Sequence, residues 1–185
     1  LNTRDIILGA EIVPLEYQYG YGNAWFVDSY RRPADKNEEI GLLSETDLRH
    51  EAIIADDFSW ARDVFPKASA DFVARSIELT YYAPNEMRYK YSAEQDAAVV
   101  LSEVYYPEGW HLWRVDDGVR GDELPLFRAD WILRGALLPA GDHELVMRFD
   151  PESYVLSAGL SRAGSILLIL VLLGSAAAVF VRKKE

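Results

Sequence analysis

The sequence predicts a mainly β protein: an antiparallel β-sandwich of jelly-roll or immunoglobulin type, followed by one C-terminal transmembrane α-helix. Three observations carry this. Between Ser76 and Phe149 the apolar residues recur with a period of two, as in Ile77, Leu79 and Tyr81, then Met87, Tyr89 and Tyr91. Turn-forming clusters such as Ala83-Pro84-Asn85-Glu86, Asp117-Gly118 and Pro139-Ala140-Gly141-Asp142 punctuate the same stretch. Residues 163–181 then run for 19 positions without a charge.

Each element follows from its local pattern. Residues 22–30 read as a strand entered from a Gly-rich turn. Asp35 caps a short helix reaching residue 44; Glu38 sits three positions on, and Ile40 and Leu43 share a face. Residues 49–55 form a second strand. Residues 56–70 are irregular, with one helical turn around Trp60 and Val64. Ser76 opens a hairpin that returns through Met87 to Tyr91. Residues 97–105 are nearly all apolar, which marks a strand covered on both faces. Residues 110–115 are the next strand, residues 126–138 another, and residues 143–149 the last. Residues 151–160 lead from the sandwich to the apolar run.

That run would rise about 28 Å as a helix, close to the thickness of a bilayer's hydrocarbon core. Arg182, Lys183 and Lys184 follow it, against Arg162 alone on the other flank, which places the C-terminus in the cytoplasm. Gly174 and Ala178, four apart, offer a small-residue face for packing against further helices. Residues 1–15 carry Arg4, Asp5 and Glu11 and are neither an export signal nor a membrane helix. The expectation is therefore the C-terminal piece of a longer membrane protein. Residues 1–19 end an upstream region or linker, 20–155 form an extracytoplasmic domain, 156–162 a linker, 163–181 the span and 182–185 a cytoplasmic tail. The partners expected are the lipid bilayer and upstream helices of the same protein.

Charge narrows the partners. The chain holds 19 basic and 30 acidic residues, of which residues 161–185 hold four and one. That leaves 15 and 29 in residues 1–160, a net of −14. Such a surface repels phosphate backbones, so no nucleic-acid partner is expected. Cysteine is absent, which removes disulfides, thiolate chemistry and Cys-ligated zinc. His143-Glu144 and His50-Glu51 lack zinc-ligand spacing, so no metal is expected. Asp56-Asp57 and Asp116-Asp117 are weak calcium candidates or simply solvated surface.

Two groups of side chains invite a chemical reading. Around residues 102–110, Glu103 stands near Tyr105, Tyr106, Trp110, His111 and Trp113. Aromatic faces and carboxylates suit sugars, whose CH groups stack and whose hydroxyls bond the acid; the alternative is that these rings fill the sandwich core. Arg128, Asp130 and Arg134, at spacings of two and four on one strand, point to one face. Two guanidiniums beside a carboxylate suit a phosphate or anionic polymer, or else form a solvated salt-bridge ladder.

Five motifs occur in order: Gly22-Asn-Ala-Trp-Phe-Val27, Ser102-Glu-Val-Tyr-Tyr-Pro-Glu-Gly-Trp110, Arg128-Ala-Asp-Trp-Ile-Leu-Arg134, Pro139-Ala-Gly-Asp-His143 and Phe149-Asp-Pro-Glu-Ser153. Together with the apolar run they resemble the C-terminal region of the YfhO-type bacterial membrane proteins. The resemblance implies a polytopic protein similar to GT-C glycosyltransferases, in the bacterial cytoplasmic membrane. Such a protein moves a sugar from a polyprenyl-phosphate donor onto a cell-envelope glycopolymer. It also implies that the catalytic carboxylate lies in an early external loop. This segment would then carry no catalytic residue and no cofactor. Glu103, Tyr106, Trp110, Arg128, Asp130 and Arg134 become candidates for acceptor binding, and the segment an acceptor-binding or bracing module. The competing expectation is a membrane-tethered, non-enzymatic binding or scaffold domain.

Overall fold

The computed structural model describes residues 5–6, 15–16, 20–66, 74–151, 157 and 161–173. The chain divides into two units, Leu1–Phe149 and Asp150–Glu185. In the first, β1 (Asp5–Ile6) and β2 (Leu15–Glu16) form a short antiparallel pair. There follow β3 (Ala24–Val27), β4 (Ser29–Arg31), α1 (Lys36–Glu45), β5 (Glu51–Ile53), a 3₁₀ turn (Asp56–Phe58) and α2 (Ser59–Asp63). The sandwich strands continue with β6 (Arg75–Ala83), β7 (Glu86–Ala93), β8 (Ala97–Val104), β9 (Trp110–Asp116) and β10 (Val119–Leu124). The last are β11 (Leu126–Ala129), β12 (Leu133–Leu138) and β13 (Gly141–Phe149).

The fold is mainly β and built as an antiparallel sandwich. A five-stranded sheet in the order β10-β9-β13-β7-β6 packs on a four-stranded sheet in the order β11-β12-β8-β3. The period-two pattern explains the layers. Met87, Tyr89 and Tyr91 of β7, with Leu112, Leu145 and Met147, meet Phe26, Val99, Leu101, Ala136 and Leu138 in one core. The alternate residues of the four-stranded sheet enter a second core. There Trp25, Val27, Ala98, Val100 and Phe127 pack with Ala52, Ile54 and Ala61. Strand β8 is thus covered on both faces, as its apolar run predicts.

The structure corrects several local expectations. Residues 22–30 are two strands, interrupted at Asp28. The second, β4, pairs with β5 in parallel, with α1 as the crossover a parallel pair needs. Asp35 does cap α1, its Oδ1 accepting from the amides of Asn37 (2.8 Å) and Glu38 (2.9 Å). The buried residue of that helix is Glu39, however, while Ile40 is half exposed. Strand β10 falls in a stretch with no apolar alternation, because it is an edge strand exposed from Val119 to Glu123; a bulge between Arg120 and Glu123 shifts its register. Helix α2 confirms the turn around Trp60 and adds a second helix to the domain.

Residues 126–138 are a hairpin, not one strand. Asp130 and Trp131 adopt φ of 50° and 71°, which reverses the chain. Asp130 stabilises this unusual backbone by bonding to β5: its Oδ1 accepts from the Ile53 amide (2.8 Å) and its own amide donates to the Ile53 carbonyl (3.0 Å).

In the second unit residues 161–173 are helical and exposed. Among the described residues no helix is long and apolar enough to cross a membrane. The expected span continues to residue 181. Its last eight positions, the small-residue pair Gly174 and Ala178, and the tail 182–185 lie outside the described residues. So do residues 67–73, most of 1–19, and residues 152–156 and 158–160, which include most of the expected linker 156–162.

Candidate functional site

One end of the sandwich gathers four of the candidates, Glu103, Tyr106, Trp110 and Arg134. It is the end where β8 and β13 finish and β9 and β12 begin. Strand β8 carries a bulge there: Leu133 pairs with Val104, but Arg134 pairs with Leu101, so Ser102 and Glu103 are extra on the β8 side. Bulges re-aim side chains. This one sets Glu103 within electrostatic reach of Arg134.

Arg134 is 3% exposed. Its guanidinium carbon sits 4.0 Å from the centroid of the Trp110 ring, and its Nη1 lies 3.4 Å from Met147 Sδ. Its Nε has no hydrogen-bond partner among the described residues. Burial depresses the Arg134 pKa, while Glu103 and Tyr89 act in the opposite direction. Burial raises Glu103, and Arg134 partly offsets that. Burial also raises the Tyr89 phenol. The arrangement is a guanidinium held chiefly by a π face, a charge desolvated without a bonded carboxylate. Trp110 in turn meets the ring of Phe149, the last residue of β13, at 5.2 Å with the planes tilted by 45°. Tyr106 lies exposed beyond the end of β8.

The other two candidates lie at the β11–β12 hairpin. Arg128 and Arg134 pair directly across that hairpin rather than following each other along one strand. Arg128 is occupied: Nη1 and Nη2 donate to the two carboxylate oxygens of Glu39 at 2.6 and 3.1 Å, and Nη1 also donates to the Trp131 carbonyl at 2.5 Å. Neither a free phosphate clamp nor a solvated ladder describes this; it is a buried ion pair joining α1 to the sheet. A small cavity of about 140 Å³ lies over it, lined by Pro33, Asp35, Lys36, Asp56 and Asp57. Asp130 is in the turn, off the expected face. Burial pushes it up to about 7, against the pull of the Ile53 amide, and its Oδ2 has no partner among the described residues.

Sequence reasoning missed Glu39, because helical spacing identifies a face and not the partner waiting beneath it. It also missed a groove of about 760 Å³ along the far ends of β13, β7 and β6, lined by Ser76, Glu78, Lys90, Ser92, Asp142 and Glu144. Asp116 borders it. It accepts from His143 Nδ1 at 2.5 Å and Arg114 Nε at 2.9 Å, and the His143 bond holds its carboxyl below the usual range. Asp56 accepts from both Arg32 and Arg62, which lowers it likewise. Both acidic pairs therefore contribute a carboxylate to ion pairing. Among the described residues no group of three His, Cys, Asp or Glu side chains is placed to hold a metal ion. Comparison with protein-family models, with characterised proteins and with solved structures finds no match to the chain.

Proposed function

We propose that this chain is the C-terminal accessory module of a polytopic bacterial membrane protein resembling GT-C glycosyltransferases, with residues 20–155 outside the cytoplasmic membrane and residues 163–181 spanning it. Support for the tether comes from the helix at 161–173, which runs in sequence into the charge-free residues 174–181 and then Arg182, Lys183 and Lys184. The module does not transfer the sugar. It braces the parent, whose other helices take the sugar from a polyprenyl-phosphate donor and pass it to a cell-envelope glycopolymer. One observation carries the bracing role: Arg128, Asp130 and Arg134 are committed to Glu39, Ile53 and Trp110 inside the domain. Glu103, Tyr106 and the open part of Trp110 leave a small polar, aromatic-edged surface, which supports direct contact with the acceptor polymer as a second reading.

Three measurements test this. A reporter active only in the cytoplasm, fused after Glu185, is expected to be active; silence there, with an exported reporter active, reverses the topology. In the full-length parent, Glu103→Gln and Arg134→Gln separate the readings. Normal envelope glycosylation with unchanged melting supports bracing. Loss of glycosylation with unchanged melting supports acceptor contact. A parent with no glycosylation phenotype on deletion favours a tethered scaffold with no enzymatic role.

A further inference from the structure

The Trp110 end of the sandwich has an apolar rim. Tyr81, Tyr82, Val104, Tyr106, Ile132 and Phe149 are all exposed there. Topology places them together. Tyr82 pairs with Met87 at the start of β7, and Arg148 with Glu86 beside it. The Phe149 amide donates to the Asn85 carbonyl at 2.9 Å. Phe149 also pairs with Trp110. On the facing sheet Val104 pairs with Leu133, and the Tyr105 amide donates to the Ile132 carbonyl at 2.7 Å. Six large apolar side chains around one strand-end surface exceed the scatter expected of a solvated face.

We infer that this rim is a membrane-contact surface that rests in the headgroup layer of the bilayer. The inference rests on the tether proposed above. The chain leaves the sandwich from this end: Phe149 is the last residue of β13, and 11 positions, 150–160, separate it in sequence from residues 161–173, which are helical. Fully extended, they reach at most about 40 Å, so a tethered domain stays within that distance of the bilayer. The chemistry of the rim agrees. Tyr and Trp rings, apolar in body and polar at one edge, are the side chains that settle at the water–hydrocarbon boundary. Charge selects the lipid. A net of −14 over residues 1–160 repels anionic headgroups, so the contact is with neutral or zwitterionic lipid and is made by this end alone.

The absence of cysteine makes the test clean. Tyr106→Cys, Val104→Cys, Val119→Cys and Leu170→Cys are made singly in the full chain. Each is labelled with a polarity-sensitive fluorophore and reconstituted in phosphatidylcholine vesicles containing headgroup-nitroxide or acyl-chain-nitroxide lipid. Val119 is the control, being 69% exposed, like the rim residues, but at the opposite end of the β9–β10 pair. The expected result is headgroup-level quenching at 104 and 106 several-fold above that at 119, with acyl-chain quenching at 170. Equal quenching at 104, 106 and 119, with 170 in lipid, overturns the rim contact and leaves the tether standing. A label at 106 that turns apolar without lipid quenching shows the rim covered by protein instead, and overturns it as well. No acyl-chain quenching at 170 removes the tether and the inference together.

Discussion

The Arg134 guanidinium packs against the face of Trp110 at 4.0 Å, yet no carboxylate oxygen lies within salt-bridge distance of it among the described residues. Cation–π attraction to a desolvated guanidinium contributes about 2 kcal/mol, while an uncompensated buried charge costs several. The pair is therefore unequal, and its two members respond differently to truncation. Trp110→Ala removes the π face and uncovers the charge, and is expected to destabilise by about 3–5 kcal/mol. Arg134→Met keeps most of the volume and removes the charge, and is expected to be neutral within about 1 kcal/mol or stabilising. Urea titration of the full chain measures both. A large loss in Arg134→Met would mean that Glu103 and Arg134 are paired in solution.

Asp130 gives the fold a pH dependence of unusual sign. Its folded pKa is raised to about 7 by burial, from an ordinary value near 4. The native state then holds a proton that the unfolded state has released. Stability is full below the unfolded pKa and declines as pH rises toward and past 7, by up to about 4 kcal/mol. Asp130→Asn keeps the oxygen that accepts from Ile53 and cannot ionise. It is expected to flatten the stability profile between about pH 5 and 8 and to exceed the wild type at about pH 8. Parallel profiles for the two proteins would place the raised titration elsewhere.

Much of the sandwich was legible because its strands expose one face to a core and the other to something different. Met87, Tyr89 and Tyr91 alternate with charged residues, so period two names β7 directly. Strand β8 was legible as doubly covered because Ala97 to Leu101 leave no polar face. Where identity depends on a distant partner, the signal fails. Ser29–Arg31 and Glu51–Ile53 are too short to encode a parallel pairing. Arg128, Asp130 and Arg134 look like one strand face because spacing carries no record of the positive φ at Asp130 and Trp131. Asp130 tolerates that conformation better than most residues; the signal was present but weak.

The Arg128–Glu39 pair is the main polar link between α1 and the sheet. Glu39 is 1% exposed, and its carboxylate meets the guanidinium with two bonds. Removing one partner leaves the other charge buried. Glu39→Ala is therefore expected to cost about 3–5 kcal/mol, and Arg128→Met a similar amount. The double variant Glu39→Leu with Arg128→Met replaces the pair with apolar volume and is expected to recover most of the loss. A double variant as unstable as the sum of the singles would show that the two side chains act independently.

Gly135 tests the packing of the second core. It pairs with Phe127 across the β11–β12 hairpin, and a Cβ built on it would stand 2.2 Å from Phe127 Cε2. The ring cannot retreat: Phe127 is fully buried, with Trp60 edge-on at 6.0 Å. Ala in place of Gly gains about 0.5–1 kcal/mol from reduced chain entropy, but overpacking a filled core costs about 1–3 kcal/mol. Gly135→Ala is expected to lose about 1–2 kcal/mol in net stability. Gly41 supplies the comparison. It lies inside α1 with nothing within 4 Å of where an added methyl would stand, so Gly41→Ala is expected to gain about 0.5–1 kcal/mol. Combining Gly135→Ala with Phe127→Leu separates crowding from backbone effects. If the ring is the obstacle, Gly135→Ala costs less in the Phe127→Leu background than in the wild type, and the coupling is about 1 kcal/mol or more. An unchanged cost would place the penalty in the strand backbone and not in the ring that rests on it.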